Sequence, residues 1–291
     1  MTSSLPHKSR PHGFTLIEIL VVVGIIVLLA TIALPMMSRA YSQAKRTQMA
    51  ADLSVISQAL EAYRADFGDY PRHSPDITGA SLLCWALVAP GGKGDGLGNP
   101  PGTDGNEGPG FRIRGTTGTV KGPYLPVDRF TIGTIAPPGM ASSPVQVLPA
   151  TTFDNRADVL SDRYYHPILY FPANKGADPT SKHVPAGAYV NSGDFSPLAL
   201  YNFIDTHGST FAPTGYGIDQ PPNRLTPKVM AYRLGNIDGS GTLAASDTPS
   251  GLGPYLLWAP GPDGYYGTED DVVDNGHAIQ LNTAKIPSNF P

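Results

Sequence analysis

From Phe14 to Met37 the chain runs through 24 residues, mostly Ile, Leu, Val and Ala, whose sole ionisable side chain is Glu18. As a helix this stretch is long enough to cross a hydrocarbon core of about 30 Å. A carboxylate inside such a segment is expensive, so it calls for a partner. The apolar run follows a short leader, 1–13, that carries Lys8 and Arg10. Those cations predict a leader that stays cytoplasmic and a remainder that is exported. A cleavable secretory signal would have a shorter apolar core and a small-residue site after it. Here the small residue, Gly13, stands before the apolar run.

The helical pattern continues past the apolar run. Leu53, Ile56, Leu60, Tyr63 and Phe67 recur at steps of three and four and predict one buried stripe. Lys45, Arg46, Asp52, Glu61 and Arg64 mostly occupy other faces. Gly68 is the expected C-cap, and Pro71 prevents the helix from resuming. Pro35 cannot donate to the carbonyl of Thr31, so a kink is expected there. Gly24 allows either close helix packing or local melting, or is an ordinary membrane glycine.

Beyond Phe67 the composition changes. Of 33 glycines and 30 prolines, all but five lie after that residue, as do 22 of the 26 aromatic residues. Aromatics at that density argue against disorder, so the expectation is a folded, loop-rich domain with short strands. Candidate strands are Phe111–Arg114, Tyr164–Phe171, Lys228–Leu234 and Tyr255–Trp258, with a short helix over Ser81–Val88. Gly91–Gly110, rich in Gly and Pro, reads as a mobile loop. The lone cysteine, Cys84, excludes an intrachain disulfide and sits among Leu82, Leu83 and Trp85 as a core residue. A net charge of −4 offers no broad basic surface for nucleic acid.

Two C-terminal segments carry the donors of a calcium site. Asn236, Asp238 and Ser240 stand at positions one, three and five of a loop with Gly241 at six, Leu243 at eight and Asp247 at twelve. That is the oxygen spacing of an EF-hand-like loop, with Asp247 in place of the usual glutamate, as in dockerin-type loops. A polar turn of the same composition is the alternative. The second segment, Gly261–Asp271, holds Asp263, Glu269, Asp270 and Asp271. Four carboxylates so close repel one another unless a cation or solvent intervenes. Oxygen donors on glycine-bearing turns suit Ca²⁺ better than zinc or copper, against the alternative of a solvated acidic turn.

At Gly13-Phe14-Thr15-Leu16-Ile17-Glu18 the chain resembles the type IV pilin and pseudopilin family, whose processing motif this is. The resemblance implies cleavage between Gly13 and Phe14 by a membrane-embedded prepilin peptidase, followed by methylation of the new Phe14 amine. It also implies a helix-bending role for Pro35. The carboxylate of Glu18 is too close to its own Phe14 for an easy intrachain pair, but a neighbouring copy's amine can reach it. A plain anchor, with Glu18 snorkelling to the interface, is the alternative. The acidic turn resembles the C-terminal calcium loop of the type II secretion major pseudopilin, which implies ligand roles for Asp263, Thr268, Asp270 and Asp271. Leu60–Pro71 and Lys121–Arg129 resemble that family too, while 91–110 and much of 130–225 read as insertions.

The expected fold is α+β and pilin-like, with a leader over 1–13 and a long helix over 14–67 that spans the membrane over 14–37. A loop-rich head over 68–291 would carry a small antiparallel sheet, long loops and the calcium loops. The resemblance implies a bacterial inner-membrane protein, single-pass, with a cytoplasmic N-terminus and a periplasmic head. It would be a structural subunit of a type II secretion pseudopilus, exporting folded proteins across the outer membrane. Implied partners are further copies, minor pseudopilins, the prepilin peptidase and the inner-membrane secretion platform. The alternatives are a surface type IV pilin for adhesion, motility or DNA uptake, and a membrane-anchored calcium-dependent binding domain. No HExxH, G-x-S-x-G or Walker pattern occurs, and the seven histidines are scattered, so no enzyme is expected.

Overall fold

Leu16–Phe67 form one α-helix of 52 residues, α1. The computed structural model describes residues 15–72, 79–88, 111–112, 119–126, 128–135, 147–149, 158–162, 164–173, 190–191, 201–202, 225–234, 253–274, 276 and 279–280. The chain divides into two units, one ending at Ala44 and one beginning at Lys45. In the first unit every described side chain is exposed, from Leu16 through Tyr41 and on to Ala44. The helix continues through position 35 without a break. It is long and apolar enough to cross a membrane.

In the second unit the predicted stripe is buried from Leu53 to Tyr63 and half-buried at Phe67. Leu53, Ile56, Leu60 and Tyr63 are all under 10% exposed, and Met49 extends the same face. Ile56 and Leu60, fully buried, each contribute roughly 1.5–3 kcal/mol of apolar burial. Phe67 stacks on Tyr63 with ring centroids 4.3 Å apart. The helix ends as the sequence predicts. Gly68 has φ +78° and donates a 2.7 Å hydrogen bond to the carbonyl of Arg64, a left-handed cap open to glycine without steric penalty. The chain then turns back on itself, with the Tyr70 hydroxyl 2.5 Å from Glu61 and the Tyr170 hydroxyl donating to the Pro71 carbonyl at 2.9 Å.

The short helix α2, Gly79–Leu87, is buried along its whole length except at Trp85. Cys84 is 1% exposed, in the core where its neighbours placed it. The strands in chain order are β1 Phe111–Arg112, β2 Val120–Lys121, β3 Thr131–Ile135, β4 Val147–Pro149, β5 Asp158–Ser161, β6 Leu169–Pro172, β7 Val190–Asn191, β8 Tyr201–Asn202, β9 Tyr255–Ala259, β10 Val272–Asp274 and β11 Ile279–Gln280. The largest sheet is antiparallel, in the order β11-β10-β9-β6, and a second antiparallel sheet runs β4-β3-β5. β1 and β2 form an antiparallel pair, and β7 and β8 a short parallel one. α2 packs on β5 and β6, and the stripe of α1 joins the same core as Tyr170, Leu257 and Val272. The layout is α+β and pilin-like: one long N-terminal helix and small, mainly antiparallel sheets.

Lys228–Leu234, expected as a strand, is helical instead. Pro227–Arg233 form α3, with Thr226 as N-cap: its hydroxyl accepts from the Val229 amide at 3.3 Å. Proline at the first helical position and a hydroxyl just before it form a helix-start signal. That signal outweighs the strand preference of the single Val and Tyr in the segment. The Tyr164–Phe171 expectation is corrected at its start, where Tyr164 and Tyr165 lie in a turn and Tyr165 has φ +66°. Tyr255–Trp258 extends by one residue into β9. The Gly91–Gly110 loop lies outside the described residues.

Candidate functional site

The helix start positions Glu18 through Thr15. The Thr15 amide and hydroxyl both donate to Glu18 Oε2 at 2.7 Å, and the Glu18 amide donates to Thr15 Oγ1 at 3.3 Å. This is a capping box: each side chain satisfies an orphan amide of the first turn, and the carboxylate lies at the positive end of the helix dipole. The Thr-x-x-Glu spacing that encodes it was present in the sequence and was missed there. Glu18 is exposed, as is the apolar surface that follows it. Gly13 and Phe14 lie outside the described residues, and of Pro35 only its place in the helix is described.

The acidic turn connects β9 to β10. It begins at Gly261, where an added Cβ would stand 2.2 Å from Asp270 Cγ and 2.5 Å from its main chain. Only glycine allows the two ends of the turn to approach so closely. Gly264 (φ +78°) and Gly267 (φ +82°) supply the two left-handed positions between them.

This folding brings Asp263, Thr268, Asp270 and Asp271 into one turn. Asp263 Oδ1 accepts from the Tyr265 amide at 2.8 Å, and the Asp263 amide donates to Asp270 Oδ2 at 3.2 Å. Asp271 is 1% exposed, and its Oδ2 accepts from Trp258 Nε1 at 2.6 Å and the Gly267 amide at 2.7 Å. Burial pushes its carboxyl up to about 7, against the lowering effect of those two donors and of Arg233. Thr268 Oγ1 lies 2.5 Å from Asp270 Oδ1, 3.1 Å from Asp271 Oδ1 and 3.3 Å from the Tyr265 carbonyl.

A hydroxyl has one proton to give, so it cannot donate to three acceptors at once. Around the Thr268 hydroxyl the turn therefore holds more oxygen acceptors than that one proton can serve, all of them hard. That donor set fits Ca²⁺ and offers nothing for a soft metal. Among the described residues no three His, Cys, Asp or Glu side chains stand close enough together to hold an ion by themselves. For an ion to bind here, Thr268 and main-chain carbonyls would have to complete the set. Asn236, Asp238, Ser240 and Asp247 of the other loop lie outside the described residues.

A cation beside the turn had no role in the sequence reading. Arg233, the last residue of α3, is 5% exposed and its guanidinium donates to the Thr268 carbonyl. Burial lowers its pKa, the charge of Arg46 adds to that shift, and the charges of Asp271, Glu269 and Asp270 oppose it. Reading 228–234 as a strand concealed it.

The known proteins similar to this chain match at its N-terminal end. Residues 8–34 match the prokaryotic N-terminal methylation motif. The type II secretion system core protein G of Pseudomonas aeruginosa is 44% identical over 64 residues, which is 22% of this chain and 45% of that protein. The core protein G of Klebsiella pneumoniae is 37% identical over 62 residues, 21% of this chain and 44% of that protein. The one from Aeromonas hydrophila is 33% identical over 64 residues, 22% of this chain and 45% of that protein. The chain thus spans just under half the length of each of these relatives. No solved structure matches it. In its N-terminal segment, where the methylation motif runs into a capped, exposed apolar helix, the chain is similar to the type II secretion core proteins G.

Proposed function

We propose that this chain is a structural subunit of a type II secretion pseudopilus. The observation that carries the reading is the processing motif joined to a helix whose first 29 residues, Leu16 to Ala44, expose their described side chains, while one face of the remainder is buried in the core. An apolar surface of that size needs a membrane before assembly and helices of other copies after it. The prepilin peptidase would cut after Gly13, and the Phe14 amine of one copy would pair with Glu18 of the next. The chain would be anchored once in the inner membrane, N-terminus inside, with its head in the periplasm. Assembly on the inner-membrane platform, with minor pseudopilins, would push folded proteins through an outer-membrane channel. Its role is mechanical and needs no reaction at the head.

Calcium belongs to the same reading. Asp263, Thr268, Asp270 and Asp271 would hold the ion, which would neutralise the turn and fix β9 against β10. Secretion in a deletion strain tests the function: cargo should accumulate in the periplasm and return to the medium on complementation. Intact secretion together with lost surface pili would identify a type IV pilin instead. Failure of the processed chain to crosslink into helix-packed oligomers would leave only a membrane-anchored binding domain.

A further inference from the structure

A buried guanidinium, that of Arg233 at the end of α3, stands beside the acidic turn. α3 is held by Leu225, Val229, Met230 and Leu234, each no more than 5% exposed. It is capped at its start by Thr226 and closed at its end by the Leu234 amide, 3.1 Å from the Met230 carbonyl. A helix anchored on that side has little freedom to move its last residue. Arg233 is thereby fixed with its guanidinium on the Thr268 carbonyl, in the field of Asp271, Glu269 and Asp270 and of a second guanidinium, Arg46.

We propose that Arg233 is a positioning residue that acts as a built-in counter-cation of the acidic turn, holding it folded before calcium arrives and opposing calcium once it binds. The inference rests on the calcium reading of the turn given above. A guanidinium is planar, always charged and weakly hydrated, which suits it to a buried carboxylate-rich site better than an ammonium. Two cations that draw on the same carboxylates repel, so the protein's own charge weakens the affinity for the ion. Coupling of this kind is reciprocal: calcium in turn loosens the hold of Arg233 on the turn. The head would then keep its turn folded when calcium is scarce.

The test uses the full chain in detergent, with thermal unfolding followed in excess chelator and in excess calcium, and calcium affinity measured by titration. Arg233→Met removes the charge at similar length; Arg233→Lys keeps the charge but loses the fork. Arg233→Met should melt lower than the wild type in chelator, gain more from calcium, and bind calcium on the order of tenfold more tightly. Arg233→Lys should fall between the two, and it carries the test if the Met variant does not fold. An equal calcium response in the wild type and the variants would leave the calcium reading standing and overturn the role of Arg233. Absence of calcium binding in all of them would overturn both. A response confined to the variants would mean that Arg233 replaces the ion in the wild type, which supports the inference and removes calcium from the native head.

Discussion

Ser57 on α1 donates a 2.7 Å hydrogen bond to Asp274 at the end of β10, a residue 217 positions further along the chain. The same hydroxyl stands 2.6 Å from that of Tyr255, and the other oxygen of Asp274 accepts from the Gly276 amide at 2.9 Å. Asp274 is 3% exposed, so a serine on the long helix completes the solvation of a carboxylate on the sheet. The helix is thus registered on the sheet by a polar contact as well as by its apolar stripe.

Ser57→Ala should therefore destabilise the head by about 1–3 kcal/mol, because a buried carboxylate loses a donor. Thermal unfolding of the detergent-solubilised chain measures it, and an unchanged midpoint would show that the contact contributes nothing.

Glu18 has two tasks at one position. In its own chain it closes the capping box with Thr15, and in the proposed filament it meets the next copy's amine. Glu18→Ala should leave cleavage after Gly13 intact and abolish assembly. Thr15→Val removes only the hydroxyl that holds the carboxylate, costing roughly 0.5–2 kcal/mol of cap, so assembly should weaken without vanishing. Cysteine crosslinking between copies reads both; normal oligomers from Glu18→Ala would reject the contact.

Gly261 is the narrowest point of the acidic turn. Gly261→Ala would drive a methyl group into the Asp270 side chain and main chain, which cannot yield without displacing the turn. A loss of about 1–3 kcal/mol is expected from overpacking of this kind, together with loss of the calcium response. A variant that melts and binds calcium like the wild type would show that the turn relaxes freely.

The parts of this architecture that follow a period or a short local rule were legible in the sequence. The stripe from Leu53 to Phe67, the Gly68 cap and the burial of Cys84 needed only a helical repeat and its neighbours. The Thr15–Glu18 box was equally local, but membrane cost drew the reading to Glu18 and away from the residue three before it. Arg233 was not legible. Its role depends on α3 meeting a turn 35 residues later, and a seven-residue segment containing one Val and one Tyr gives no periodic signal strong enough to separate helix from strand. The Ser57–Asp274 contact is of the same kind, since nothing in either local sequence names the other.

Asp271 offers the sharpest test of the turn's chemistry. In the folded head its carboxyl is raised from 3.8 to about 7 by burial, so the folded chain keeps a proton that the unfolded chain releases. Stability from this group is complete below about pH 4, falls as pH rises to about 7, and is level above that. Asp271→Asn has no proton to lose, and its amide oxygen can still accept from Trp258 and Gly267. In chelator the advantage of the variant over the wild type should therefore grow between about pH 4 and pH 7 and then stay constant. Other groups titrate in that range, but they are common to both chains and cancel in the difference. Excess calcium above pH 7 should reverse the order, because the wild type regains a cation for its buried charge and the asparagine has no charge to offer it. Parallel pH profiles in chelator would show that Asp271 is ionised throughout, and an equal calcium gain in both chains would remove it from the ligand set.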